Sequence, residues 1–81
     1  MIPAAYGLLA NETRKLEAGD RSARQRIRLL ALHFAQFTTP EERIKAEVRT
    51  IPATIYSPPE TLALDCMRII AQVKQEVRRG N

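Results

Sequence analysis

Apolar residues recur along the chain at helical rather than strand intervals, and capping residues, prolines and glycines divide the pattern into four segments. In the first, Ile2, Tyr6, Leu9, Thr13 and Leu16 share one face, which predicts a helix over about Pro3–Ala18. Pro3 suits a first helical turn, and Gly19 is a natural stop. Gly7 weakens this helix by roughly 1 kcal/mol relative to alanine. The second predicted helix runs from about Arg21 to Phe37 and carries a core stripe of Ala23, Ile27, Leu30, Phe34 and Phe37. Asp20 or Ser22 can cap it, and Ser22 with Gln25 has capping-box spacing.

The third segment begins with Thr39-Pro40-Glu41-Glu42, which supplies an N-cap, a first-turn proline and acidic residues where the helix dipole favours them. Ile44, Val48 and Ile51 mark its expected buried side, and Pro52 is expected to end it. Residues 52–59 then read as a stiff ordered loop, with Ile55 and Tyr56 packed on the core. Thr54-Ile55-Tyr56 has the composition of an extended segment, but a lone strand is marginal. The fourth helix is predicted from Ser57-Pro58-x-Glu60 to about Arg79, with Leu62, Cys66, Ile69, Val73 and Val77 inward and Gly80 as its end. The expected architecture is one all-α domain, a compact bundle of about four short helices in which the second and fourth are the long antiparallel pair.

Length makes this pattern informative. Eighty-one residues bury only about 60% of their extended-chain surface, so at most one helix can be central. Yet two helices are apolar on two sides. Opposite the stripe of the second lie Arg21, Arg24, Arg28, Leu29 and Leu32. Opposite that of the fourth lie Leu64, Met67 and Ala71. A second apolar face that no helix of the chain can cover marks a contact surface. Arg21, Arg24, Arg28, Leu29, Leu32, Leu64 and Met67 are therefore the candidate partner-binding residues. Packing of the first and third helices around the fourth is the alternative.

Composition narrows the classes. An apolar fraction of 44% with 27% charged residues is that of a folded domain. The most apolar stretches are interrupted well short of the ~20 residues a membrane-spanning helix needs. The N-terminal residues lack the basic and apolar regions of a signal peptide. With a single cysteine, Cys66, no internal disulfide can form, so a reducing cytoplasm is expected. The net charge of +4 is concentrated: residues 14–28 hold six cations (Arg14, Lys15, Arg21, Arg24, Arg26, Arg28) against Glu17 and Asp20, a local +4, and the rest of the chain sums to zero. Such a segment suits an anionic partner or a solvated face.

Candidate chemistry is sparse. His33 has no companion at metal-ligand spacing, and a Cys66–His33 pair would need an activated thiolate. Glu41 and Glu42 are accounted for by helix initiation, and Glu12 and Glu17 lack same-face spacing. No glycine-rich phosphate loop is present. A helix-turn-helix reading would place Glu41 and Glu42 where bases are read, and no aromatic residue is interleaved with the basic ones as single-strand binding prefers. The expectation is a non-enzymatic module with no metal and no cofactor that binds another protein stoichiometrically, as a regulator or inhibitor or as a homodimer. Short motif-free chains of this kind are common among phage and mobile-element accessory factors. Nucleic-acid backbone contact through residues 14–28 ranks second. A nucleotide or small-anion site formed by Tyr6, Arg14, Arg21 and Arg24 ranks third.

Overall fold

The computed structural model describes residues 3–80 as an all-α bundle. Its helices are α1 (Pro3–Glu17), α2 (Ala23–His33), α3 (Pro40–Arg49), α4 (Ile51–Tyr56) and α5 (Leu62–Arg78). The segments α3 and α4 are a single course of helix interrupted at Thr50, so the chain makes four helical passes. α1 packs chiefly on α2, whereas α5 is held by α2, α3 and α4. Among the described residues there is no strand.

The stops follow from backbone chemistry. At the end of α1, Gly19 adopts φ 109°. Its N–H donates to the Leu16 carbonyl and that of Asp20 to the Lys15 carbonyl, both at 3.0 Å. This is the paired closure that a left-handed glycine permits. Asp20, not Ser22, serves the start of α2: its Oδ1 accepts the Ser22 N–H at 3.2 Å. Ser22 makes no capping bond, because its hydroxyl instead accepts from Arg26 at 2.7 Å. The Ser22–Gln25 capping box is therefore not formed. At α3, Thr39 Oγ1 accepts the Glu42 N–H at 3.2 Å as expected. Glu42 reaches one residue further back than a capping box would take it, accepting from the Thr38 hydroxyl (2.5 Å) and N–H (3.3 Å).

Four sequence expectations are corrected. α2 ends at His33 instead of Phe37, and Gln36 takes φ 55° in the turn that follows. The long helices are thus α1 and α5. Residues 52–56, expected within the 52–59 loop, are helical. Pro52 breaks the helix for one residue only. It then occupies a first-turn position of α4, where its missing N–H costs little. Thr50 stays helical across the break, with its N–H on the Ala46 carbonyl and its own carbonyl accepting from Thr54, each at 3.1 Å. α5 begins at Leu62, after a turn closed by the Leu62 N–H on the Pro58 carbonyl at 3.0 Å. Ser57 and Thr61 bond to Asp65 instead of capping.

The fourth correction concerns the core. Ile44, Val48 and Ile51, expected inward, are exposed, and Glu42, Ala46 and Thr50 are buried in their place. In α2 the buried line is Ala23, Ile27, Ala31 and Ala35, with Phe34 and Phe37 only half-buried. In α1 it is Ala5, Leu9, Glu12 and Leu16, while Tyr6 is exposed; Ile2 lies outside the described residues. α5 keeps Leu62, Cys66 and Val73 inside but buries Ile70 more deeply than Ile69. Molecular shape explains the inversion. The backbone extends 41 × 26 × 16 Å, so its thin dimension admits about two helices with axes ~8–10 Å apart. In so thin a slab α2, α3 and α4 approach their neighbours largely through alanines, and Ile44, Val48 and Ile51 fall to the outer face.

Polar ties compensate for small apolar seams. Arg26 joins α2 to Glu12 of α1 at 2.8 Å and to Asp20 at 2.6 Å. Both guanidinium nitrogens of Arg49 in α3 engage the Glu76 carboxylate of α5 at 2.8 Å. Lys74 of α5 donates to the Ala35 and Gln36 carbonyls and lies over the Phe37 ring, 5.6 Å from its centroid. It thereby holds the turn after α2 against α5.

Candidate functional site

An open groove of about 1110 Å³ runs over the outer face of α2 and is lined by α1, α2, the 36–40 turn and the start of α3. Its apolar floor comprises Leu8, Leu29, Leu30, Leu32 and Phe37. Leu8 and Leu29 are 46% and 51% exposed, so the floor is available to a visitor. The volume lies just above the ~300–1,000 Å³ of small-molecule pockets, and the groove is open to solvent. Those dimensions suit a segment of macromolecule better than a metabolite.

The groove's charges are already engaged. Glu12 accepts from Arg26 at 2.8 Å and from Lys15 at 3.4 Å. The Arg26 hydrogen bond, with lesser help from Lys15, holds the Glu12 carboxyl below its ordinary value despite burial. Arg43 and Glu47 pair at 3.1 Å along the α3 wall. Arg28 donates to the Glu47 carbonyl at 2.6 Å and to Thr50 Oγ1 at 3.0 Å. What remains to select a partner is chiefly the apolar floor and its polar ends at His33, Gln36, Thr38 and Thr39.

The seven residues singled out in the sequence fall in several places. Arg28, Leu29 and Leu32 come together in the groove. Leu32 also packs on the core, which makes Leu29 the more accessible contact. Arg24 donates to the Thr54 carbonyl of α4 at 3.1 Å, and Arg21 is exposed in the turn before α2. Met67 lines a separate pocket of about 210 Å³ with Tyr6, Ala31, Ile70 and Lys74. Leu64 stands 51% exposed on α5 and lines neither cavity.

The sequence reading missed Leu8, which lies one position off the α1 stripe, and assigned Phe37 to the core. It also missed the exposed row Ile44, Val48, Ile51 and Ile55 on α3–α4. A usable signal was present. Ala23, Ile27, Ala31 and Ala35 repeat every four residues and mark the side of α2 where another helix comes close.

The basic segment is divided: Arg14, Lys15 and Arg21 are exposed, and Arg24, Arg26 and Arg28 are half-buried. Arg24, Arg26 and Arg28 all donate within the chain, as does Lys15. Tyr6 faces the pocket against α5 while Arg24 reaches α4, so the anion cluster expected of Tyr6, Arg14, Arg21 and Arg24 does not converge. Cys66 is fully buried, and desolvation pushes its thiol up to about 11. His33 is exposed and meets the Phe34 ring edge-on at 4.8 Å. Among the described residues, no group of three or more His, Cys, Asp and Glu is placed to hold a metal, and no helix is long and apolar enough to cross a membrane.

No protein family matches this chain, and neither a curated protein nor a solved structure matches it. The molecule is thus defined by its fold and surface alone, a thin all-α bundle with an apolar groove.

Proposed function

We propose that the chain is a helical protein-interaction module that acts by stoichiometric binding, as a regulator or inhibitor of a larger protein. It takes an apolar segment of that partner into the groove over α2. The observation that carries this reading is the exposed floor around Leu8 and Leu29, in a groove whose charged side chains already bond within the chain. An amphipathic helix laid in a groove is a common mode of recognition, with affinity coming from apolar anchors at helical spacing. Four of the five charged groups on its walls are ion-paired, Glu12 with Arg26 and Arg43 with Glu47, which leaves a highly charged ligand little beyond Arg28 to engage and ranks a protein segment above nucleic acid or a free anion. The module needs no catalytic group and no cofactor for this task.

Site-specific crosslinking tests the proposal. A photoreactive side chain at Leu29 should yield one adduct of defined mass in extracts of the source cell or its host. The same group at Gln72, exposed on α5, should not. Leu8→Glu should abolish the adduct without changing the circular dichroism spectrum. Equal adducts from positions 29 and 72, or adducts that disappear after nuclease treatment, would refute the reading.

A further inference from the structure

The outward face of α3–α4 is the most apolar helical surface of the molecule. Ile44, Val48 and Ile55 are 61%, 61% and 58% exposed, Ile51 is 45% exposed and Tyr56 is 81% exposed. At 100° per residue the four aliphatic residues lie within an arc of about 60°. The buried residues Glu42, Ala46, Thr50 and Ala53 lie diametrically opposite. A surface helix ordinarily turns its polar side outward; this one presents branched aliphatic residues. Thr50 keeps helical dihedrals and hydrogen bonds on both sides of the break, so the row runs unbroken from α3 into α4.

Spacing identifies the kind of occupant. The intervals 44–48–51–55 are four, three and four, those of a coiled-coil seam, and all four residues are β-branched. A seam of this period fits another helix of the same period. The rims are electrically self-compensated: Glu41 lies 3.8 Å from Lys45, and Arg43 lies 3.1 Å from Glu47. Two copies therefore meet without a wall of like charge. At about 200 Å² per fully exposed large side chain, the five residues present roughly 600 Å². That is the upper limit for a patch on a monomer and approaches the ~800 Å² that each partner of a standard interface buries.

We infer that the α3–α4 face is a dimerisation seam occupied by α3–α4 of a second copy of this chain, in antiparallel two-fold packing. In this arrangement Ile44 meets Ile55 of the second copy, and Val48 meets Ile51. The self-complementary contact closes at two copies. It is independent of what fills the groove over α2.

Light scattering and sedimentation equilibrium on the full chain provide the test. The wild type should show twice the 9.2 kDa chain mass at concentrations up to about 1 mM. Val48→Lys and Ile51→Lys should each return it to one chain mass with an unchanged circular dichroism spectrum. Leu29→Glu, which strikes the groove, should leave the dimer intact. Register is tested by mixing Val48→Cys with Ile51→Cys under mild oxidation, where the disulfide-linked pair should form faster than in either variant alone. A monomeric wild type at every concentration, a dimer that survives both lysine substitutions, or a higher oligomer would overturn the inference. So would Val48-dependent binding to phosphatidylcholine–phosphatidylserine vesicles by a monomeric chain.

Discussion

Substituting Arg28 by methionine separates a structural arginine from a binding one. Its guanidinium ties α2 to the α3–α4 pass through the Glu47 carbonyl at 2.6 Å and the Thr50 hydroxyl at 3.0 Å. Few other contacts join α2 to α3. Hydrogen bonds from a charged donor contribute about 1.5–3 kcal/mol each when isolated. Methionine preserves much of the packing of the aliphatic stem, and the half-buried site softens the loss. A net cost of about 2 kcal/mol follows, roughly a 30-fold change in the folding constant. For a chain of this size that corresponds to a fall of about 8–16 °C in Tm. Urea unfolding followed by circular dichroism measures it, with Arg21→Met, an exposed arginine, as a control expected within ~0.5 kcal/mol of wild type. If Arg28→Met also stays within that range and instead abolishes partner binding, the strap is not structural and the arginine belongs to the contact surface.

Other expectations follow from the same geometry. Gln36→Gly should stabilise the fold by about 0.5–1 kcal/mol, because the left-handed conformation at φ 55° penalises a side chain; a lower urea midpoint would contradict this. Ala46→Leu should destabilise by about 1–3 kcal/mol through overpacking, since Ala46 is fully buried and lines neither cavity, and retention of the wild-type Tm would show that the seam is not tight. The carboxyls of Glu42, held down first by the Thr38 hydroxyl, and of Glu12, held down first by Arg26, titrate below their ordinary 4.5 in the folded chain. Their contribution is thus fully present above that value and is lost as pH falls through the depressed folded values. The urea midpoint should drop on acidification below 4.5, and Glu42→Gln should flatten part of that limb; an acid limb unchanged by the substitution would contradict this. Cys66 should resist thiol reagents at neutral pH until the chain unfolds, as its burial and raised thiol pKa require; rapid native-state labelling would contradict it.

The helices were legible where backbone chemistry dictates structure. Thr39-Pro40 sets the start of α3, and Gly19 and Gly80 stand at positive φ past the ends of α1 and α5. Pro52 and Pro58 were less decisive, the latter standing in the turn before α5 and not in its first turn. A proline reads alike as a stop and as a first-turn residue, and at Pro52 the second role prevailed. The orientation of α3 was not legible, because its apolar stripe Ile44, Val48 and Ile51 is indistinguishable in sequence from a buried one. Only the neighbouring helices reveal that the space opposite is small enough to require Ala46 and Ala53. The groove was legible in part. Leu29 and Leu32 stand out on a basic face, whereas Leu8 takes meaning only when α1 lies beside α2. The inward use of Arg24 and Arg28 was hidden because their acceptors are backbone carbonyls and a threonine hydroxyl distant in sequence.

An alanine-lined interior also shapes the thermodynamic response of the chain. Unfolding heat capacity scales with the apolar area newly exposed to water, about 1 kcal/mol/K for an ordinary domain of this length. Here much of the large aliphatic surface is wet before unfolding begins, so the increment should be smaller. The stability curve should be correspondingly flat, with a broad melting transition and cold denaturation displaced to lower temperature. Any event that dries the α3–α4 face should then register calorimetrically as a negative heat-capacity change of association.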